Sequence, residues 1–147
     1  MLKQTGSGKF QYVYYVGNLK SLDLSNFDTS NVTTMDSMFR ACTSLTTLDL
    51  SNFNTSNVTN MDAMFTCVIS SYEYYYYNNS TATRSLLIII FVSDLWDISK
   101  VTGESQLITR MFNGCESLVG ATSYNSSKTN RTYSNYTTGY LTHKSNS

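Results

Sequence analysis

LDLSNFDTSNVTTMDSMF, Leu22–Phe39, recurs 26 residues later as LDLSNFNTSNVTNMDAMF, Leu48–Phe65. Extended back to Leu19 and Leu45, the two copies differ at five of 21 positions: Lys20/Thr46, Ser21/Thr47, Asp28/Asn54, Thr34/Asn60 and Ser37/Ala63. None of these changes removes an apolar residue. The spacing L-x-x-L-x-L-x-x-F followed by V-x-x-M-x-x-M-F is therefore kept intact. Self-similarity at a period of roughly 20–50 residues marks a stacked repeat architecture, in which each unit covers its apolar face with its neighbour because it cannot do so alone.

Two hydrophobic periods share each unit. Leu22, Asp23, Leu24 and Ser25 alternate apolar and polar, as a half-buried strand does. Met35, Met38, Phe39 and Cys42 fall at i, i+3, i+4 and i+7, the spacing of one face of a short helix. Thr33 with Asp36, and Thr59 with Asp62, have the spacing of a capping box at the start of that helix. Each unit thus reads as strand, turn, short helix and return. The predicted core runs through Leu22, Leu24, Phe27, Val32, Met35, Met38 and Phe39 in the first copy. In the second it runs through Leu48, Leu50, Phe53, Val58, Met61, Met64 and Phe65.

After Cys67 the pattern breaks. Residues 1–18 read as a lead-in, 19–67 as two intact units, 68–90 as a degenerate unit, 91–120 as a C-terminal unit and 121–147 as a Ser/Thr/Asn-rich tail. In the C-terminal unit Trp96 takes the place of Phe27 and Phe53, Val101 that of Val32, and Met111 and Phe112 those of Met38 and Phe39. Val101 and Met111 are separated by ten positions where Val32 and Met38 are separated by six, an insertion near Gly103–Arg110. The apolar run Leu86–Val92 is too short for a membrane span and reads as a buried strand. The tyrosine-rich stretch Ser71–Asn79 admits three readings: an exposed binding loop, a strand with tyrosines on both faces, or a repeat degraded by a shift of reading frame. The tail is either loosely ordered or a cap on the last unit.

LTTLDLSNFNTSNVTNMDAMF, then FVSDLWDISKVT (Phe91–Thr102), MFNGCESLVG (Met111–Gly120) and GYLTHK (Gly139–Lys144), follow one another in an order that resembles the BspA-type leucine-rich-repeat bacterial surface proteins, a repeat shared with mycoplasma-type surface lipoproteins. The resemblance covers Leu19–Cys67 and about Arg84–Lys144. It implies an α/β fold: a short right-handed solenoid of the leucine-rich-repeat type, with a parallel sheet on one face and short helices on the other. It also implies a cell-surface or secreted protein used in adhesion or host contact. Ordinary leucine-rich repeats carry Asn where this chain has Phe27 and Phe53, so an aromatic stack is expected in place of an Asn ladder.

Composition narrows the function. The formal net charge is +0 and only 14% of residues are charged, so no strong field steers the chain to nucleic acid or to an acidic membrane. The first residues, MLKQTGSGKFQYVYYVGN, lack the apolar core and small-residue cleavage site of a secretory signal. Three cysteines do not build a disulfide framework. Cys42 and Cys115 hold one place in the motif, three residues after a Phe, which suits a small buried hydrophobe. No catalytic set, phosphate loop or zinc spacing is present, and the one histidine, His143, lies in the tail. The chain therefore reads as non-enzymatic and without a cofactor. The N-x-[ST] triplets at Asn31, Asn57, Asn78, Asn79, Asn125, Asn130 and Asn135 are what so Asn/Ser/Thr-rich a chain produces by chance.

What remains is an exposed sheet face. The repeat places Lys20, Asp23, Ser25, Thr46, Asp49 and Ser51 on it. Asp23 and Asp49, equivalent in successive strands, would stand about 5 Å apart and repel unless solvated or bridged by a cation. A solvated edge is the plainer reading, a weak calcium site the sharper one. The function that follows is a repeat module binding a protein or cell-surface ligand, with no nucleic acid and no membrane span. The alternative is a truncated or degenerate remnant of a longer surface protein.

Overall fold

The structure is a computed structural model and describes residues 2–4, 10–12, 19–66, 85–102 and 111–145. β1 (Leu2–Gln4) and β2 (Phe10–Tyr12) pair antiparallel. β3 (Thr47–Asp49), β4 (Ile89–Val92) and β5 (Thr142–His143) form a parallel sheet in that order. Leu48 lies opposite Ile90, and Val92 opposite His143. The second repeat, the returning chain after the break and the tail motif GYLTHK thus share one sheet. The Ser71–Asn79 stretch and Cys67 lie outside the described residues.

Along β4 the expectation of a fully buried run needs correcting. Leu87, Ile90 and Val92 are at most 4% exposed, whereas Leu86 and Ile88 are 57% and 49% exposed. The sheet is covered on one side only, so alternate residues of the run face solvent. The first-repeat segment 22–25 is not part of the sheet, although Leu24 is buried as its spacing requires. Of the other predicted core positions, Leu22 and Phe27 are half-buried against the core and the rest are buried.

The helices expected over 35–42 and 61–65 are tight turns. Among the described residues the one helical turn is a 3-10 helix at Arg131–Tyr133. Backbone hydrogen bonds supply the reason. The N–H groups of Met35, Ser37, Phe39 and Ala41 donate to the carbonyls of Asn60, Asp62, Met64 and Thr66 at 2.8–2.9 Å, in the next repeat. The intervening N–H groups of Met38, Arg40 and Cys42 close i→i−3 turns at 3.1–3.3 Å. Every second donor leaves for the neighbouring unit, so no i→i−4 ladder forms. Ser37, Ala41 and Ala63 take φ of 57°, 59° and 54°, which interrupts any right-handed helix. Gly114, the counterpart of Ala41 in MFNGC, has φ 79° at no steric cost. The capping role moves by one residue: Asp62 N–H is bonded by the Asn60 side chain at 2.8 Å, and Asp36 N–H more weakly by Thr34 at 3.4 Å.

The helical spacing still identifies what is buried. Phe39 stacks on Phe65 with ring centres 5.9 Å apart and planes within 4°, and Phe65 stacks on Phe112 at 5.4 Å. Tyr140 meets Phe112 edge-on at 5.3 Å and stacks on Tyr133 at 5.2 Å. The tail thereby enters the core: Tyr140 and Leu141 are fully buried, and Trp96 Nε1 donates to the Ser134 carbonyl at 3.0 Å. Cys42 and Cys115 are buried free thiols; loss of water pushes Cys42 up to about 12, and Cys115 Sγ donates to the Phe65 carbonyl.

Candidate functional site

The equivalent aspartates Asp23 and Asp49 are each fixed by the serine two residues on. Asp23 Oδ1 accepts from Ser25 N at 3.0 Å and Ser25 Oγ at 2.6 Å. Asp49 Oδ1 accepts from Ser51 N and Oγ at the same distances. The D-x-S spacing closes a local turn in which the carboxylate is held by the serine N–H and hydroxyl two residues on. Bonds to the charged form hold the Asp23 carboxyl below the ordinary value, the hydroxyl first and the N–H second.

Asp23, Ser25, Asp49 and Ser51 line one cleft of about 280 Å³ with Leu22, Leu24, Asn52 and Lys144. Of the six predicted face residues the structure brings these four together. Lys20 and Thr46 are exposed but do not line the cleft. Asn52 crosses between repeats, its Nδ2 donating to the Leu24 carbonyl at 2.9 Å.

Lys144 is the residue that the sequence reading missed. Its Nζ meets Asp49 Oδ2 at 2.5 Å and lies 5.7 Å above the centre of the Phe91 ring. It arrives there because β5 pairs with β4 and the Lys144 N–H donates to the Val92 carbonyl at 2.7 Å. Burial pushes the Asp49 carboxyl up, but hydrogen bonds from Lys144 and Ser51 and the Lys144 charge outweigh it, and the net shift is downward. Nothing in the repeat spacing announces a lysine 95 residues further on; only the pairing of GYLTHK with β4 does.

A second polar group gathers around His143 of β5. His143 Nε2 lies 2.9 Å from Asp94 Oδ1, which also accepts from the Tyr136 hydroxyl at 3.2 Å, and the His143 and Tyr136 rings are 4.7 Å apart. Among the described residues no serine, threonine or cysteine bonds the other ring nitrogen. Nor do three His, Cys, Asp or Glu side chains converge on a common point among the described residues. No described helix is long and apolar enough to cross a membrane.

The family model described as "Mycoplasma protein of unknown function, DUF285" matches residues 9–142, and the chain belongs to that family. No curated protein and no solved structure matches it.

Proposed function

We propose that this member of the family is a non-catalytic binding module of the BspA-type leucine-rich-repeat class: a short right-handed solenoid, displayed at a cell surface or secreted, that holds a protein or cell-surface ligand on its sheet face. One observation carries the reading. Two repeats deliver the same serine-fixed carboxylate to one cleft, beside a lysine that the tail supplies and that lies over the Phe91 ring of β4. Pre-oriented polar groups at the open side of a one-sided sheet lose little entropy when a ligand engages them.

The test is a binding screen of the full chain on arrays of extracellular proteins and glycans, run in parallel with an Asp23→Asn/Asp49→Asn double variant whose circular dichroism matches wild type. Retention of a ligand by wild type and its loss in the variant is the expected outcome. Retention that is indifferent to both substitutions moves the binding surface elsewhere, and a chain that retains nothing removes the proposal.

A further inference from the structure

The sheet-face cleft holds an unequal set of charges. Asp23 and Asp49 each bring a carboxylate to it, and Lys144 brings one ammonium. Lys144 is spent on one of the two: its Nζ meets Asp49 Oδ2 and lies 5.7 Å above the centre of the Phe91 ring. Asp23 has the same serine turn as Asp49, with Ser25 N and Oγ on its Oδ1. Its Oδ2 has no partner among the described residues, and the residue is exposed. The formal net charge of the chain is +0, so this surplus carboxylate is local and not the edge of a general acidic field.

Lys144 shows what the cleft accepts. An ammonium on a flexible stem sits against a serine-held carboxylate with an aromatic ring beside it, a combination that favours organic cations. The Lys144 side chain is half exposed, so its hold on Asp49 is weak enough for a competitor to displace. A divalent metal fits less well. The same ammonium repels it, and two carboxylates whose Oδ1 atoms already accept serine bonds fall short of the roughly six to eight oxygens that calcium takes. An anion would meet two carboxylates for one ammonium.

We propose that the ligand of this cleft is a basic peptide segment, whose lysine or arginine side chain pairs with Asp23 and competes with Lys144 for Asp49. The inference rests on the reading of the sheet face as a binding surface. The peptide's other contacts follow from β4. Phe91 lies opposite Asp49 and Ile89 opposite Thr47, both half-buried, and Ile88 before them is exposed. Apolar surface running up to two carboxylates suits a chain that carries both apolar and basic side chains, and offers a free polyamine little to cover.

Carboxyl-carbon NMR of the full chain tests this, with acetyl-LRLRLR-amide as the probe and acetyl-LELELE-amide, spermidine and calcium chloride beside it. The arginine peptide should shift the Asp23 and Asp49 signals saturably, and Asp23→Asn, with circular dichroism unchanged, should weaken its binding. Lys144→Met removes the competitor and should tighten binding by up to about fivefold, the size of an exposed ion pair. Weaker binding to Lys144→Met makes Lys144 a ligand contact and overturns the competition. A response to the glutamate peptide or to calcium but not to the arginine peptide overturns the ligand class. So does spermidine acting as strongly as the arginine peptide, or a cleft that answers none of the four. Sedimentation should give a monomer; a dimer that Asp23→Asn dissolves puts the basic group on a second copy and overturns a separate ligand. The array screen keeps the two readings apart: an acidic or neutral ligand that the double aspartate variant loses ends this inference and leaves the binding face standing.

Discussion

Thr29 and Thr55 show how much one residue can decide. Both are buried, at 2% and 0% exposure, a setting where an unpaired hydroxyl is costly. Thr55 Oγ1 accepts from Asp97 N–H at 2.6 Å and donates to the Asp97 carbonyl at 2.9 Å. Thr29 does the same with Asn54 N–H and carbonyl at 2.8 and 3.1 Å. Each hydroxyl therefore bridges to the backbone of the next unit. The equivalent residue of the last unit is Ile98, which packs against the core instead. Replacing Thr55 with Val keeps the shape and strands both Asp97 groups, so urea unfolding should show a loss of about 1–3 kcal/mol. A loss under a few tenths would mean that water replaces the hydroxyl.

At the scale of elements, β5 has consequences out of proportion to its two residues. It carries Lys144 to Asp49, and that contact gives stability a dependence on pH. Against the opposing effect of burial, hydrogen bonds from Lys144 and Ser51 and the Lys144 charge hold the Asp49 carboxyl below its ordinary value in the folded chain. Its contribution is therefore full above the unfolded-state value and is lost as pH falls through the folded-state value. Because Lys144 is half exposed, the pair is worth at most about 1 kcal/mol. Carboxyl-carbon NMR should find Asp49 titrating higher in Lys144→Met than in wild type, with Ser51 still holding part of the downward shift. An unchanged titration would mean that the ion pair is not populated in solution. The turns over 35–42 make a second point at this scale: helical spacing located their buried side chains, but the neighbouring repeat's carbonyls claimed the donors that a helix requires.

For the whole molecule the decisive link is the ring series from Phe39 through Phe65 and Phe112 to Tyr140. It joins both intact repeats to the tail, which makes the tail part of the core. The Tyr140 hydroxyl donates to the Lys128 carbonyl at 2.7 Å and accepts from Asn125 N–H at 3.1 Å. Tyr140→Phe keeps the ring and removes both bonds, at a cost of about 1–3 kcal/mol. Since Trp96 is bonded to the tail at Ser134, its fluorescence and far-UV circular dichroism should lose midpoint together. Separate midpoints would show the tail opening as its own unit.

The repeat spacing alone determined most of the buried side chains of the repeats, the equivalence of Asp23 and Asp49, and the burial of Cys42 and Cys115. These follow from local periodicity and from copies that can be compared within one chain. Pairing decided the rest. The sequence could not show that turns replace helices, because the competing hydrogen-bond acceptors lie in the next repeat. It could not show that Leu86 and Ile88 face solvent, because an apolar run has no visible period. Nor could it show Lys144 on Asp49 or His143 on Asp94, because those contacts exist only once β5 has chosen β4 as its neighbour.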